Sequence, residues 1–430
     1  MVNNRKSFKV VHLQYHSNSA GKQALRLHHG FMESGIESSV LSLYSDTADT
    51  TQIRTLGTKE RLISNIDNKL QNYITQKANK QLGLFSYPIL GTNISIHPLV
   101  AEADIIYVHW VLFGFLNFSG LKKLAKLNKP IVFFMHDMWT ITGGCHYSFD
   151  CERYATGCGN CPVLNSDKED DLSSTEFHKK KAFFNQFDNL FFVAPSQWLF
   201  DCAKQSLLTR DKPVFLIPNL IDNTVFKPFE KKTAKQILNL PTDDIIIAFG
   251  AVSVDSPYKG WNYLQEALEM LKGMRRLDNI TVLIFGSGYN KKIADAIPFE
   301  TKFVGYMKDD YSMALIYNAA DIFVAPSLAE TFGLVVLEAL CCGTAVVGFE
   351  TGGIPDLINH RVNGYLAKYK DSADLAQGID YCIKEDIKGK MLPQFEPEET
   401  VKKHLELFRH MNLTNSNYAH KYSESTETSK

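Results

Sequence analysis

The chain has 430 residues, 45% of them apolar, enough for two or three domains of about 150 residues, each with a buried core. Lys plus Arg number 46 against 47 Asp plus Glu, a formal charge of -1, so no global basic field attracts a polyanion and general nucleic-acid binding is excluded as a first reading. The same arithmetic excludes a stapled peptide and a disordered tail protein.

The first apolar stretch is broken by His12, Gln14 and His16, too early for a signal-peptide core. The most apolar segment, 105–118, is interrupted by His109, Gly114 and Asn117, short of the ~18–20 residues that span a bilayer. A cytoplasmic chain is expected.

In chain order, short runs rich in Val, Ile and Phe alternate with longer segments of helical period, the pattern of parallel strands covered by crossover helices. Strands are predicted at 8–14, 38–43, 105–109, 131–136 and 190–194, and their near-continuous apolarity suits burial on both sides. After Pro218-Asn219 and a polar stretch to Lys232 the pattern restarts, with strands at 244–251, 280–286, 302–305, 322–325 and 345–348. The fold class is α/β: two doubly wound, Rossmann-like parallel-sheet domains, 1–218 and 219–395, facing a cleft. Ligand crevices in such sheets lie beyond the C-terminal strand ends, which puts His136, Ser196, Gly286 and Ser327 first in line. Val401, Leu405 and Phe408 share one face of a helix within 396–412 that should cross the domain junction. The tail 413–430, poor in branched apolar residues, is expected to be disordered.

The sharpest signal lies between Val324 and Ile358. A strand ends at Pro326-Ser327, a loop presents Glu330, and an almost wholly apolar helix starting near Phe332-Gly333 carries Glu338. A carboxylate on such a helix is expensive to leave unpaired. Two acidic groups flanking a helix start with free N–H groups suit a ligand with hydroxyls at both ends and phosphate in the middle, which describes a nucleotide sugar. The bland alternative makes Glu338 a core ion pair and Glu330 a solvated loop residue.

The E-x7-E spacing of Glu330 and Glu338, the preceding Ala-Asp-Ile-Phe-Val-Ala-Pro-Ser at 320–327 and the following Gly343-Thr344-Ala345-Val346-Val347 resemble retaining glycosyltransferases of family 4, which have the GT-B fold. The resemblance implies that Glu330 contacts hydroxyls of the donor sugar, Glu338 the ribose, and the backbone of Thr331, Phe332 and Gly333 the diphosphate. Lys259 would reach the same diphosphate. The family's arginine after the strand glycine is missing, because Ala251 follows Gly250. Gly286, Tyr306 and Met307 fall where the family surrounds the base, and His136 where it reaches the donor sugar; the alternative for His136 is a satisfied histidine at a strand end. Ser19-Ala20-Gly21 stands in place of a Gly-rich loop, so Ala20 and Gly21 are the acceptor-binding candidates. No cofactor is required for catalysis in this reading.

Cys145, Cys151, Cys158 and Cys161, spaced C-x5-C-x6-C-x2-C, suit a closed structural zinc site with His146 as a substitute ligand; reduced thiols or a disulfide are the alternatives. Similar cysteine-bearing segments occur in a subset of family 4 from exopolysaccharide and capsule pathways. The segment 176–192 mixes lysines with phenylalanines. It reads either as a helix on an anionic membrane or, preferred, as a core-facing helix with a solvated basic side.

The function implied is transfer, with retention, of a hexose-type sugar from a nucleoside diphosphate sugar to a hydroxyl of a glycan or lipid-linked acceptor. The setting would be exopolysaccharide, capsule or lipopolysaccharide synthesis at the inner face of the membrane. The alternatives are another GT-B enzyme, such as a nucleotide-sugar epimerase or a sugar phosphorylase, and a noncatalytic nucleotide-sugar-binding protein.

Overall fold

The computed structural model describes residues 8–17, 22–46, 50–250, 256–274 and 279–411. Ala20, Gly21, Ala251 and the tail 413–430 lie outside the described residues.

Seven strands form the first sheet: β1 (Lys9–His16), β2 (Glu37–Tyr44), β3 (Ile53–Thr55), β4 (Ile105–Val108), β5 (Ile131–Phe134), β6 (Leu190–Ala194) and β7 (Val214–Leu216), in the order β3-β2-β1-β4-β5-β6-β7. Six more form the second: β8 (Ile245–Gly250), β9 (Ile280–Phe285), β10 (Glu300–Gly305), β11 (Ile322–Ala325), β12 (Ala345–Phe349) and β13 (Gly364–Ala367), in the order β10-β9-β8-β11-β12-β13. Neighbouring strands run parallel throughout. The inner strands β4, β5 and β9 are buried along their whole length, as the unbroken apolar runs IIYV, IVFF and ITVLIF require. The sequence pattern passes over β3, β7 and β13, which are three or four residues long and lie at or beside sheet edges, too short to show a period. It also runs β4 and β5 too far: they end at Val108 and Phe134, leaving His109 and His136 in the loops beyond.

The C-terminal helix, Pro397–His410, follows Phe395, which packs on Phe332 in the second domain, and returns to the first, where Phe408 meets Phe8 and Phe31. Val401 and Leu405 join the same cluster, with Val10, Leu27 and Tyr107 beneath them.

The helix Leu172–Gln186 is core-facing as preferred, and corrects the expectation only for its basic side. Phe177, Phe183 and Phe184 are core, which leaves no apolar face for a membrane. Its basic side is not fully solvated either. Lys180 is buried, donating to the carbonyls of Trp139 and Thr142 with its ammonium 3.7 Å from the Trp139 ring centre, and burial pushes its pKa down to about 7.

Candidate functional site

Each sheet reverses its winding once, between β1 and β4 and between β8 and β11, and ligand crevices open beyond the strand ends at such points. Beyond β8 and β11 a cleft of about 970 Å³ is lined by Gly250, Lys259, Gly286, Tyr306, Met307, Ser327 and Glu338, joined from the first domain by Lys22. Lys259, Gly286, Tyr306, Met307 and Glu338, singled out from the sequence, are thus brought together.

Close backbone approach builds this wall. Gly260 has φ +69°, and a Cβ there would stand 1.8 Å from the Pro326 carbonyl oxygen, so only glycine lets the Lys259 turn press against the end of β11. Lys259 then holds Glu330, Nζ to Oε2 at 3.2 Å. The Glu330 carbonyl accepts the Gly353 N–H at 3.0 Å, with the backbone of Gly352 so close that a Cβ there would overlap it. The helix Leu334–Cys341 starts at Gly333, φ +98°, with no side-chain cap, and its Val335 lines the cleft. Its leading N–H groups therefore have no side-chain acceptor at the cleft edge. Phe332 is core, and neither it, Thr331 nor Gly333 is among the residues that line the cleft. Gly286 lines the cleft at φ +89°, with its N–H bonded to the Gly305 carbonyl across the ends of β9 and β10.

Glu338 lines the cleft and is ion-paired at once. Arg26 donates to its Oε1 at 2.8 Å and the Tyr317 hydroxyl to its Oε2 at 3.2 Å. Arg26 also donates to Asp310 at 3.0 Å, and Lys22 binds the same carboxylate. Asp309 caps the helix Asp310–Ala319 by accepting the Ser312 N–H at 2.7 Å, which sets Asp310 at the cleft edge and Tyr317 two turns inward. Burial pushes the Glu338 carboxyl upward against the pull of Arg26, whereas Arg26 and Lys22 outweigh burial at Asp310 and hold it below the usual carboxylate range. The core-ion-pair alternative thus applies to Glu338, and Glu330 is paired rather than solvated. Lys22, Arg26, Asp310 and Tyr317 escape sequence reading. The i, i+4 spacing of Lys22 and Arg26 on the helix Lys22–Glu33 is their one visible signal.

Other ties join the domains beside this knot. The Ser196 hydroxyl donates to the Thr331 carbonyl at 2.6 Å, the Gln197 N–H donates to Asp356 at 2.7 Å, and the Tyr147 and Tyr258 rings lie 6.0 Å apart.

His136 lies half-buried beside a smaller pocket, with His109, Trp110, Asp137 and Trp139 around it. It ends a chain of three hydrogen-bonded rings: His136 Nε2 to His109 Nδ1 at 2.8 Å, and His109 Nε2 to His12 Nδ1 at 3.0 Å. Burial pushes His136 down to about 4 and the other two well below their ordinary value, so all three are neutral at pH 7. His12 Nε2 is buried with no partner among the described residues. A bare lone pair there costs less than an orphaned N–H, so the protons run from His12 toward His136 and leave His136 carrying hydrogen on Nδ1.

The four clustered cysteines line one narrow pocket beside Gly143 and Gly159, with Cys158 accepting the Gly143 N–H at 3.3 Å. Burial pushes the Cys158 thiol up to about 12, toward the protonated form, and Cys145 further in the same direction. Among the described residues no group of three or more His, Cys, Asp or Glu side chains is placed to hold a metal ion. The four side chains share that pocket, and a zinc held by them is an expectation that rests on their spacing. His146 is no spare ligand: its Nδ1 is 2.6 Å from Asp137 and its Nε2 2.9 Å from the Ser86 hydroxyl.

Residues 243–385 match the family model for glycosyl transferases group 1. Over 170 residues the chain is 29% identical to D-inositol 3-phosphate glycosyltransferase of Mycobacterium tuberculosis and to that of Mycobacterium bovis, covering 38% of this chain and 35% of theirs. The chain thus matches only about a third of the length of those curated relatives. Among solved structures it is similar to sucrose-phosphate synthase from Thermosynechococcus elongatus (TM-score 0.62, 16% identity, 94% of this chain and 99% of that one). It is similar also to Anabaena HepE in complex with UDP and glucose (TM-score 0.58, 17% identity, 95% and 100%). The fold is GT-B.

Proposed function

We propose that the chain is a retaining glycosyltransferase that moves a sugar from a nucleoside diphosphate sugar to an acceptor hydroxyl, on a glycan or a lipid-linked intermediate. The observation that carries this reading is the convergence of Lys259, the uncapped start of the helix Leu334–Cys341 and Glu338 on one cleft at the β8/β11 switch point. The ammonium and helix N–H groups suit the diphosphate, Glu338 suits the ribose, and Tyr306 and Met307 suit the base. Glu330, held by Lys259, and His136 suit hydroxyls of the donor sugar. The solved structure of Anabaena HepE with UDP-glucose makes that donor the first to test.

In the transfer step the bond from the anomeric carbon to the phosphate oxygen breaks as the bond to the acceptor oxygen forms on the same face. The acceptor's proton passes to the leaving phosphate oxygen. Lys259 and the helix amino end stabilise the charge that develops on that phosphate, and the cross-cleft ties exclude water. Lys22, which lines the same cleft while paired with Asp310, is a second cation within reach of the diphosphate.

Thermal shift against a panel of nucleoside diphosphate sugars tests the donor assignment. Stabilisation by at least one donor is expected, lost at least about tenfold in affinity in Glu338→Ala. Unchanged affinity in that variant removes Glu338 from the ribose site.

A further inference from the structure

The helix Thr58–Ile74 is amphipathic in the reverse sense. Its buried residues are Ser64, Asp67 and Gln71, all polar, at i, i+3 and i+7. Each is pinned to loop backbone: the Ser64 hydroxyl donates to the Phe113 carbonyl at 2.7 Å, Asp67 accepts the Ile89 and Leu90 N–H groups at 3.1 and 2.7 Å, and Gln71 accepts the Tyr87 N–H at 3.1 Å. The opposite face carries Leu62, Ile66, Leu70, Tyr73 and Ile74, which are 39% to 72% exposed. A helix that served only to cover the sheet would place these two sets the other way round. Hydrogen bonds hold this helix in place while its hydrophobic stripe is left exposed.

Charge identifies the occupant. Lys59 and Lys69 flank the stripe and Lys77 and Lys80 follow it, all exposed, whereas of the helix's two acids, Glu60 and Asp67, the second is buried and committed to backbone. Aliphatic and aromatic side chains bordered by lysines fit an anionic lipid surface, with the stripe at the acyl boundary and the ammonium groups among the phosphates. The helix lies on such a surface rather than through it, since no helix among the described residues is long and apolar enough to cross a membrane. We propose that the Thr58–Ile74 face docks the protein on an anionic bilayer.

Its place in the fold gives the docking a purpose. Ser64 and Asn68 reach the Tyr15 hydroxyl near the end of β1, at 3.3 and 3.5 Å, and Ser64 bonds the loop after β4, so the helix sits beyond the strand ends at the first domain's own switch point. A lipid-linked acceptor would arrive at that edge. This last step rests on the transfer reading, and the docking does not.

The test is cosedimentation of the full chain with vesicles of phosphatidylcholine containing about 30 mol% phosphatidylglycerol, against phosphatidylcholine alone. The wild-type chain should bind the anionic vesicles, and the triple variant Leu62→Ser, Ile66→Ser, Leu70→Ser should bind at least about tenfold less. Lys59→Gln with Lys69→Gln should lose about tenfold at low salt, and salt should abolish the difference. Thermal unfolding of each variant near the wild-type midpoint excludes misfolding. Should the triple serine variant unfold, the lysine pair carries the test alone. No binding by the wild type, wild-type binding by both variants, or a concentration-dependent dimer that the serine variant dissolves overturns the proposal. Absence of any nucleotide effect, measured without vesicles, would instead count against the transfer reading and leave the docking standing.

Discussion

The two walls of the cleft are made of different materials. The C-terminal wall is largely backbone: glycines pressed against carbonyls at Gly260 and Gly352, an uncapped helix start at Gly333, and one lysine and three carboxylates, Glu330, Glu338 and Asp310, set among them. The N-terminal wall is side chains: Lys22 and Arg26 reaching across from a helix, three histidines bonded ring to ring, and Tyr147 beside Tyr258. A backbone wall demands particular small residues at particular spacings and so leaves a mark on the sequence. A side-chain wall can be assembled from any elements that happen to meet. The first suits the diphosphate and ribose of the proposed donor; the second holds Glu338 from across the cleft through Arg26 and brings His136, proposed to meet the donor sugar.

The largest effect that separates the walls should come from Lys259→Ala. If the backbone wall carries the charge of the leaving diphosphate, steady-state turnover should fall about 10²–10³-fold, the range for removing one preorganised group. More than a tenth of wild-type turnover would shift that role to Lys22 and break the distinction.

Arg26→Met tests the tie between the walls. The substitution keeps the packing over Phe226 but leaves Glu338 buried with Tyr317 alone and removes one cation from Asp310. Urea unfolding should show a loss of about 3 kcal/mol, with part restored by adding Glu338→Gln, because the cost lies in the stranded charge. An unchanged unfolding midpoint would mean that the Glu338 site is held without the first domain.

The same contrast explains what could be read in advance. Glu338, Lys259, Gly286, Tyr306 and Met307, which the structure brings to one cleft, were singled out with Glu330 through the resemblance of the loops after the second sheet's strands to a known family. The two-sheet architecture was legible because buried parallel strands are unbroken apolar runs. Arg26 was not, because an arginine on an amphipathic helix looks solvated until another domain is set against it. The histidine chain was hidden for a similar reason: His12 and His109 only interrupt apolar runs, and nothing local says that β1, β4 and β5 are neighbours in the sheet. The Thr58–Ile74 helix was missed because its apolar stripe is the one that faces outward. The cysteines were legible as a cluster, since all four line one pocket, but spacing does not say whether thiols ligate a metal.

The smallest effect tests the side-chain wall by pH. His12, His28, His109, His136 and His404 are all held below the ordinary histidine value chiefly by burial, His28 and His136 to about 4 and His404 to about 3. Unfolded histidines take up protons near the ordinary 6.5, so between about 6.5 and 4 the unfolded chain binds protons that the native chain refuses, and stability falls as pH falls. The contribution is fully present above that window, and each histidine adds up to about 1.4 kcal/mol per pH unit to the slope within it. Asp310, held low by Arg26 and Lys22, gives up its share only at lower pH, as its carboxylate is protonated. His109→Phe keeps the ring and removes one site, so urea unfolding followed across this window should show a slope shallower by about one proton. The same variant frees His136 Nε2 from its donor, which should lower turnover about tenfold with little change in nucleotide affinity if the chain serves to orient His136. A slope in the variant as steep as that of the wild type would mean that His109 is already charged in the folded protein, and the ordered run of protons toward the cleft would have to be abandoned.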